Sequence, residues 1–461
     1  MEALRTPPTT TSTRGAPAVV YLGRVLDELK RHVRGEVLVP GDAPFLDTAR
    51  VFNAARQHTP RAIVRCLDTA DVVTVMKLTA QHGVPVTVRS GGHSISGASV
   101  GEGAVVIDLR RIAHASLDES SGVVTVGGGI ISRDANAFAW SRGRCLSTGF
   151  EPRVGLSGAL LGGGYGLCAR KYGLACDALL EAEVVLADGT VVMADAARES
   201  DLFWALRGAG AHFGVVTRFS VRSFPLPTLS LGTATFAVDG AERIFQRYRE
   251  LLPTLGRDTM LYLTMSAEEE LGPVIQALGF HFGGEASAKQ VLAPALNLGR
   301  PLLKSVEQVP FEAVHQVGSV FPEQHRHAWS AHFFSSAGAA TDELARFAQA
   351  ELRFPFWVVC EHLGGAVSDV APDATAFPFR SVELGLVTAL RWTDAAPTQQ
   401  LAAQRQLHDA LSPRALGTYA NYVSDGRFAV AYGANLERLR ALKEKYDPSH
   451  RFGAALGRSS E

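Results

Sequence analysis

The feature that most constrains this chain is a glycine-rich turn at residues 89–97, which reads Arg-Ser-Gly-Gly-His-Ser-Ile-Ser-Gly and follows the apolar run Val84–Val88. Glycines in such a turn let the backbone adopt positive φ and approach a ligand closely. Consecutive backbone N–H groups can then form a concave site for an anion such as a pyrophosphate. Taken alone, the pattern fits a surface turn in which His93 caps a carbonyl at least as well as it fits a phosphate site.

Two further glycine clusters favour a ligand site over a simple surface turn. Residues 155–166 contain three consecutive glycines, Gly162–Gly164, directly before Tyr165, and residues 208–214 form the third cluster. A triple glycine before an aromatic residue suits a loop that lies flat under a planar ligand, because no side chain keeps the ligand away. A tight structural turn explains one such cluster, but it explains three poorly. The sequence therefore predicts a bound cofactor.

Several common sites do not match these clusters. The dinucleotide fingerprint G-x-G-x-x-G requires a strand, a turn and a helix in one unit. After Gly208 and Gly210 the next glycine is Gly214, one position too late, and a predicted strand follows it. No phosphate-binding G-x-x-x-x-G-K-[ST] motif occurs. The pair Glu361-His362 has no partner at the spacing of metal ligands on a helix, so we predict no metal site.

Composition narrows the class of protein. The chain has 461 residues, which favours two domains, and its formal net charge is −1. Because no run of lysine or arginine occurs, nucleic acid and anionic membranes are poor candidates for the main partner. Five cysteines without a C-x-x-C pair argue against a disulfide framework and indicate a reducing compartment, so we expect a cytoplasmic protein. No apolar stretch is long enough to span a bilayer.

The organisation along the chain predicts an α+β protein with two domains. A disordered tail over residues 1–22 is followed by short strands, glycine turns and a few helices over residues 23–222. Longer strands alternating with longer helices over residues 223–413 predict a second domain, an antiparallel sheet with helices packed on one face. Locally, the pattern predicts a helix over Thr69–Gln81 and a hairpin around Asp188-Gly189. The last segment, residues 414–461, contains an amphipathic helix over Leu436–Tyr446.

Four motifs, in order and spacing, resemble those of one family. They are the turn at residues 89–93, the glycine loop with Arg170-Lys171-Tyr172-Gly173, the segment Phe203–Gly208, and the C-terminal Asn421-Tyr422 followed by residues 432–435 and 445–448. The chain from about residue 35 to about residue 452 resembles the berberine-bridge-enzyme-like FAD-linked oxidases. The resemblance implies a PCMH-type FAD-binding domain (the vanillyl-alcohol-oxidase fold), a second substrate domain, and a C-terminal segment that returns to the FAD domain.

The resemblance also implies the residues that hold FAD. A ring nitrogen of His93 is expected to carry the 8α-methyl group of the flavin covalently. Many relatives form a second link through a cysteine four residues before the glycine that matches Gly155, but this position is Glu151 here, so we predict a single covalent link. Cys145 and the other cysteines are expected to be small core residues. The other residues expected to contact FAD are Arg89, Ser90, Gly91, Gly92, Ser94, Gly97, Gly155, Gly158, Gly162, Gly163, Gly164, Tyr165, Gly166, Tyr172, Asp177, Gly214, Val215 and Val216.

For catalysis, the resemblance implies Tyr422 as the base and a carboxylate from the predicted strand Val382–Trp392, where Glu383 is the only candidate. A phenol is a poor base at neutral pH, so Tyr422 needs a neighbour that lowers its pKa. The expected reaction is hydride transfer from a small alcohol, phenol or amine to FAD, with or without ring closure, and reoxidation by dioxygen. A dehydrogenase with another acceptor, a redox-neutral cyclase or isomerase that uses FAD as a scaffold, and a binding protein without catalytic activity remain alternatives. The oligomeric state does not follow from the sequence.

Overall fold

The computed structural model describes residues 16–318, 321, 323–349, 356–423, 428–453 and 456. The first fifteen residues of the predicted tail lie outside this part of the chain, and a helix rather than a tail covers Ala16–His32. None of the helices in the described ranges is long and apolar enough to cross a membrane.

The secondary structure mixes helices and strands throughout. The α-helices of the described residues are Ala16–His32 (α1), Phe45–Ala49 (α2), Thr69–Gln81 (α3), Ser132–Trp140 (α4), Leu156–Gly162 (α5), Ala169–Tyr172 (α6), Ser200–Ala209 (α7), Ala241–Leu251 (α8), Glu285–Leu292 (α9), Ala313–Gly318 (α10), Gly338–Gln349 (α11), Thr398–Leu411 (α12) and Leu436–Tyr446 (α13). The strands are Glu36–Leu38 (β1), Ala62–Arg65 (β2), Val86–Arg89 (β3), Val105–Asp108 (β4), Ala115–Asp118 (β5), Val123–Gly127 (β6), Arg144–Cys145 (β7), Leu179–Val185 (β8), Val191–Asp195 (β9), Val215–Arg222 (β10), Phe224–Pro225 (β11), Leu229–Ala237 (β12), Thr259–Glu268 (β13), Gly272–His281 (β14), Pro301–Val309 (β15), Arg326–Phe334 (β16), Phe356–His362 (β17) and Leu384–Trp392 (β18).

Local signals explain where several elements begin and end. The Asp68 side chain accepts a hydrogen bond from the Asp71 N–H and caps α3, which has the predicted bounds. The hairpin of β8 and β9 turns at Asp188-Gly189, where Gly189 has φ of 85°. An aspartate followed by glycine suits this turn because glycine adopts positive φ without steric cost. Helix α13 also has its predicted bounds.

The N-terminal half contains two larger sheets. The first has four strands in the order β1-β2-β4-β3, with β4 parallel to both β2 and β3. The second has five antiparallel strands in the order β5-β6-β10-β8-β9. Helix α13 packs against α7 through buried leucine side chains, so the end of the chain contacts the second sheet's core.

The third sheet has seven antiparallel strands in the order β15-β12-β14-β13-β17-β18-β16. Alternate side chains of a strand point to opposite faces. On one face Phe236, Leu263 and Leu386 form a core with helices α8, α9, α11 and α12. On the other face Tyr262 and Phe333 pack against the glycine loop that contains Tyr165. This arrangement confirms the predicted α+β class and the antiparallel sheet with helices on one face.

Candidate FAD site and catalytic cluster

The first two glycine clusters lie directly against each other. A Cβ atom on Gly91 would lie 2.3 Å from the backbone nitrogen of Gly155, and one on Gly155 would lie 2.4 Å from Oγ of Ser90. Because such distances exclude any side chain, both positions require glycine. At Gly92, φ is 73° and a Cβ atom would lie 2.7 Å from the Arg89 guanidinium. The turn at residues 89–97 and the loop that begins at Gly155 are thus in direct contact and together form one side of the candidate site.

The turn at residues 90–94 presents unpaired polar atoms. Its backbone N–H groups donate to no acceptor in the described part of the chain, whereas the Gly92 carbonyl accepts from Phe52. Oγ of Ser90, Nε2 of His93 and two guanidinium nitrogens of Arg89 are also buried and lack a hydrogen-bond partner among the described residues. Buried polar groups are normally satisfied. A ligand rich in acceptor oxygens, such as a pyrophosphate, fits the backbone N–H groups, the Ser90 hydroxyl and the Arg89 guanidinium.

His93 lies in an aromatic stack beside this turn. Its ring is 3.9 Å from that of Phe52, and Phe52 is 4.3 Å from His327 on β16. Burial and the nearby charge of Arg153 lower the pKa of His93 to about 3. The imidazole is therefore neutral at physiological pH, with Nε2 unengaged.

Glu151, the residue on which the prediction of a single covalent link depends, forms a two-pronged ion pair with Arg153. Its two carboxylate oxygens accept hydrogen bonds of 2.7 and 3.0 Å from the Arg153 guanidinium, which also donates to the carbonyl of Phe321 at 2.7 Å. Cys145 lies in β7, and its thiol contacts the carbonyl of Pro225 at 3.6 Å. All five cysteines are buried and free, as predicted for core residues.

The triple-glycine loop is closed by the C-terminal segment. Tyr419 accepts a hydrogen bond of 3.0 Å from the Gly164 N–H, and Asn421 donates one of 3.0 Å to the Gly158 carbonyl. A Cβ atom on Gly162 would lie 2.4 Å from the Asn421 amide, so this glycine admits the asparagine. Gly163 and Gly164 have φ of 118° and 70°, conformations that favour glycine.

A buried carboxylate and several tyrosines meet beside this loop. The hydroxyl of Tyr165 donates a hydrogen bond of 2.7 Å to Oε2 of Glu361 on β17. The ring of Tyr422 lies 6.3 Å from that of Tyr165 and 4.9 Å from that of Tyr419. Burial raises the pKa of Glu361 to about 7, although the hydrogen bond from Tyr165 opposes the rise. Glu361 can therefore take up or release a proton near neutral pH.

Tyr422 does not have the lowered pKa that a phenolate base requires. Burial and the negative charge of Glu361 raise its pKa well above the ordinary value, and a hydrogen bond with Tyr165 opposes this only in part. The phenol is thus neutral at physiological pH, and it can pass a proton on but cannot hold the negative charge of a base. The carboxylate with a suitable pKa is Glu361.

Glu383, the carboxylate predicted for catalysis, does not join this cluster. Its Oε2 accepts a hydrogen bond of 2.6 Å from the Ala337 N–H, one residue before α11, and Ala337 belongs to the helix-covered core. The side chain therefore stabilises the beginning of α11. Sequence reasoning misses Glu361, because the Glu361-His362 pair suggests a metal site and shows no sign of its burial beside Tyr165. A single acidic residue at the end of the apolar run Phe356–Glu361 was the available signal.

Two residues predicted to contact FAD have other partners. Both oxygens of Asp177 are bonded at 2.8 Å to the guanidinium of Arg380, which is 2% exposed. The ring of Tyr172 stacks on Phe224 at 4.1 Å. These contacts give both residues a structural role: Asp177 joins the glycine loop to the loop before β18, and Tyr172 packs on β11. Neither side chain contacts the tyrosine cluster.

The remaining predicted FAD contacts lie in tightly packed backbone. A Cβ atom on Gly166 would lie 2.2 Å from the Thr148 carbonyl, and one on Gly214 would lie 2.6 Å from Cγ1 of Val184. Val215 and Val216 begin β10 and are buried in two different cores. The hydroxyl groups of Ser94 and Ser96 are hydrogen-bonded at 3.0 Å, and Gly97 has φ of 75°.

Across the described ranges, no group of three or more acidic, histidine or cysteine side chains could hold a metal ion.

Comparisons with known proteins agree with this geometry. Residues 60–195 match the family model described as FAD binding domain, and residues 418–457 match the one described as berberine and berberine like. (R)-6-hydroxynicotine oxidase of Paenarthrobacter nicotinovorans is 29% identical over 446 residues, which cover 91% of this chain and 95% of the relative. Xylooligosaccharide oxidase of Thermothelomyces thermophilus is 27% identical over 467 residues, covering 93% of both chains.

Solved structures show the same fold. 6-Hydroxy-D-nicotine oxidase from Arthrobacter nicotinovorans superposes with a TM-score of 0.84 at 27% identity, covering 93% of this chain and 98% of that one. Xylooligosaccharide oxidase from Myceliophthora thermophila gives a TM-score of 0.86 at 24% identity, over 95% and 98% of the two chains. The cofactor is FAD, and the unpaired donors of residues 89–94 fit its pyrophosphate. The chain is an FAD-linked oxidoreductase, and it is similar to the berberine-bridge-enzyme-like proteins, whose FAD-binding and C-terminal domain models both match it.

Proposed function

We propose that this enzyme oxidises a small alcohol, phenol or amine, and that a proton leaves the substrate through Tyr422 and Tyr165 to Glu361. The observation that carries the proposal is the carboxylate of Glu361, buried among tyrosine hydroxyls and held at a pKa of about 7. FAD, held by residues 89–94, would supply the acceptor for the hydride, and we propose dioxygen as the final electron acceptor. The small-molecule oxidases among the relatives support the same class of reaction.

The hydrogen bonds of the two tyrosines direct the substrate proton toward Glu361. Tyr165 already donates its hydrogen to Glu361, so a proton that reaches Tyr165 from Tyr422 displaces one onto the carboxylate. Neither phenol has to become a stable phenolate, because burial holds the pKa of both well above the ordinary value. A hydroxyl or amine that hydrogen-bonds to Tyr422 would therefore lose its proton to a carboxylate that lies two hydrogen bonds beyond this phenol.

His93 supports the proposal of a single covalent link to FAD. Its neutral imidazole has an unengaged Nε2, the lone pair that a bond to the flavin requires. Glu151, which is paired with Arg153, stands where a cysteine would be needed for a second link to the flavin, and Cys145 is buried in β7. We propose that FAD is held at His93 alone, with the donors of residues 89–94 around its pyrophosphate.

Visible spectra and peroxide yield test the reaction. Anaerobic addition of a substrate should bleach the flavin absorbance, and admission of air should restore it with one hydrogen peroxide formed per substrate oxidised. Bleaching without peroxide, together with rapid reduction of an artificial dye, would contradict dioxygen as the acceptor and indicate a dehydrogenase. Turnover without bleaching would instead indicate redox-neutral chemistry.

A further inference from the structure

Phe52 packs face to face against the histidine that is proposed to carry FAD. The rings of His93 and Phe52 are stacked, with 3.9 Å between their centroids and 21° between their planes. The other face of Phe52 is stacked on His327 of β16 at 4.3 Å, with 14° between the planes. Trp329 meets Phe52 edge-on at 6.4 Å, and Phe52 is only 4% exposed. Neighbours on both faces and at the edge thus fix the plane of the Phe52 ring.

The segment that carries this ring is bonded both to the glycine-rich turn and to the third sheet. The Phe52 N–H donates to the Gly92 carbonyl at 3.0 Å, and the Asn53 amide donates to the Ile95 carbonyl at 2.8 Å. The turn is therefore held on both sides of its histidine. The Asn53 amide also donates to the His327 carbonyl at 3.0 Å, and its oxygen accepts from the His327 N–H at 2.9 Å. These bonds are buried, and they fix the position of the turn relative to β16.

The plane of the His93 imidazole matters for a bond to the flavin. The lone pair of an unprotonated ring nitrogen lies in the ring plane, so the plane determines the direction in which this nitrogen can form a bond. Nε2 of His93 is buried and has no hydrogen-bond partner in the described part of the chain, so no hydrogen bond to this atom orients the ring. The stack on Phe52 is the contact that sets its plane.

We propose that Phe52 is a positioning residue for the covalent attachment of FAD, because it holds the His93 imidazole in the plane that this bond requires. The inference rests on the proposed link at His93. To form the link, a ring nitrogen of His93 replaces one hydrogen of the 8α-methyl group, and the imidazole gives up its own N–H proton. The two electrons of the broken C–H bond pass through the flavin ring to dioxygen, which takes up both protons and leaves as hydrogen peroxide.

A positioning role and a purely structural role make different demands on this side chain. A side chain that only fills space needs apolar bulk, which leucine or methionine supplies at some cost in stability. A side chain that orients an imidazole needs a flat face, which tyrosine keeps and which leucine and methionine lack. Replacement of Phe52 by these three residues therefore separates the two roles.

Acid precipitation measures the outcome without a substrate. The wild type, Phe52→Leu, Phe52→Met and Phe52→Tyr are purified from flavin-supplied cells and incubated with excess FAD in air. Samples taken over time are precipitated with acid, and the flavin in the pellet is compared with the total flavin bound. Phe45→Leu is the matched control, since Phe45 in α2 is 2% exposed and belongs to a core that contains neither Phe52 nor His93.

We expect both non-planar variants to bind FAD that acid mostly releases, and to gain covalent flavin only slowly in air. The physical reason is that a displacement of about 1 Å between reacting groups can slow a reaction by about 10²-fold. Phe52→Tyr and Phe45→Leu should keep their flavin in the pellet, as the wild type does. Melting temperatures should fall by similar amounts in Phe52→Leu and Phe45→Leu, so that lost stability does not account for the lost link. Phe52→Met repeats the test in case Phe52→Leu does not fold.

Attachment at the wild-type rate in Phe52→Leu and Phe52→Met would overturn the inference. An equal loss of covalent flavin in Phe52→Leu and Phe45→Leu would overturn it too, because the effect would then follow from stability alone. Failure of the proposed link has a different signature, since acid would release all of the flavin from the wild type itself, and this result would remove both the link and the inference.

Discussion

Glu361 is the residue on which the proposed chemistry depends, and its raised pKa makes the dependence measurable. Below pH 7 the carboxyl group is protonated and cannot accept the substrate proton, so kcat/KM should rise with pH through about 7 and then level off. Glu361→Gln should lower kcat by roughly 10²- to 10⁴-fold, the usual contribution of a positioned base, and remove this inflection. Steady-state kinetics between pH 5.5 and 9 measure both effects.

Glu383→Gln provides the contrast, because it changes the carboxylate that the sequence suggested. A glutamine at this position still accepts the hydrogen bond from the Ala337 N–H at the beginning of α11. We expect the activity and the inflection near pH 7 to be retained. An inflection that disappears in Glu383→Gln and persists in Glu361→Gln would reverse the two assignments.

His93 offers a second test at the scale of one side chain. Acid precipitation of the wild type should leave the yellow colour in the pellet, because a covalently bound flavin stays with the denatured chain. His93→Ala should release all of the colour into the supernatant, and Cys145→Ala should keep it in the pellet. Partial release in the histidine variant would reveal a second link.

At the scale of the elements, a buried ion pair joins the glycine loop to the loop before β18. Arg380 and Asp177 are 2% and 10% exposed at their side chains. Arg380→Met leaves the carboxylate of Asp177 buried without its partner, which should lower the free energy of unfolding by about 3–5 kcal/mol. Urea denaturation followed by circular dichroism measures this loss.

The exposed pair of Arg257 with Asp369 is a matched control for that measurement. It also has two hydrogen bonds, of 2.5 and 2.7 Å, but its side chains are 55% and 54% exposed. Arg257→Met should leave the free energy of unfolding close to that of the wild type, since solvent screens exposed charges. Equal losses in the two variants would show that burial does not set the strength of the Arg380 pair.

Elements with strong local signals could be predicted from the sequence, and those stabilised by distant partners could not. Helix α3 has its capping aspartate, and the β8–β9 hairpin has its Asp-Gly turn, so each was placed correctly. Strand β15 has no clear sequence signal, because most of its side chains are exposed. Its extended conformation is stabilised by hydrogen bonds to β12, which lies far away in the sequence. Strand β16 was missed as well, since its polar and aromatic residues show no simple alternation.

In the candidate FAD site, too, features set by local sequence were predictable and features set by distant partners were not. Glycine positions were predictable because their conformation and close backbone contacts exclude other residues, as at Gly91 and Gly155. Partners of charged side chains were not, because they come from distant parts of the chain. The sequence predicts Asp177 as a cofactor contact, whereas its carboxylate is paired with Arg380. The pKa of Glu361 is raised only because the fold buries this side chain.

For the whole molecule, the C-terminal segment contacts the glycine loop of the first half, which we propose to be part of the FAD site. The predicted domain boundaries at residues 222/223 and 413/414 stay predictions, but the contacts of Tyr419 and Asn421 with the glycine loop can be tested directly. Tyr419→Phe removes the acceptor of the buried Gly164 N–H, and Asn421→Ala removes the donor to Gly158. An unsatisfied buried group costs about 1–3 kcal/mol.

We expect the double variant to contain less flavin per chain than the wild type after purification, measured from the ratio of absorbance at 450 and 280 nm. Asn297→Ala, an exchange at a site far from the loop on the helix-covered side of the sheet, should leave the ratio unchanged. A double variant with full flavin content would contradict a role of these contacts in holding the loop.

The hydrogen bond between Gly164 and Tyr419 also sets an order of events during biosynthesis. Tyr419 is added 255 residues after Gly164, and at about 5–20 residues per second this takes some tens of seconds on the ribosome. Throughout that time the nascent chain has its glycine loops but lacks the residues that close them. We therefore expect flavin to be loaded only after Tyr419 has been made, so that a cell short of flavin accumulates apoprotein that already contains this residue.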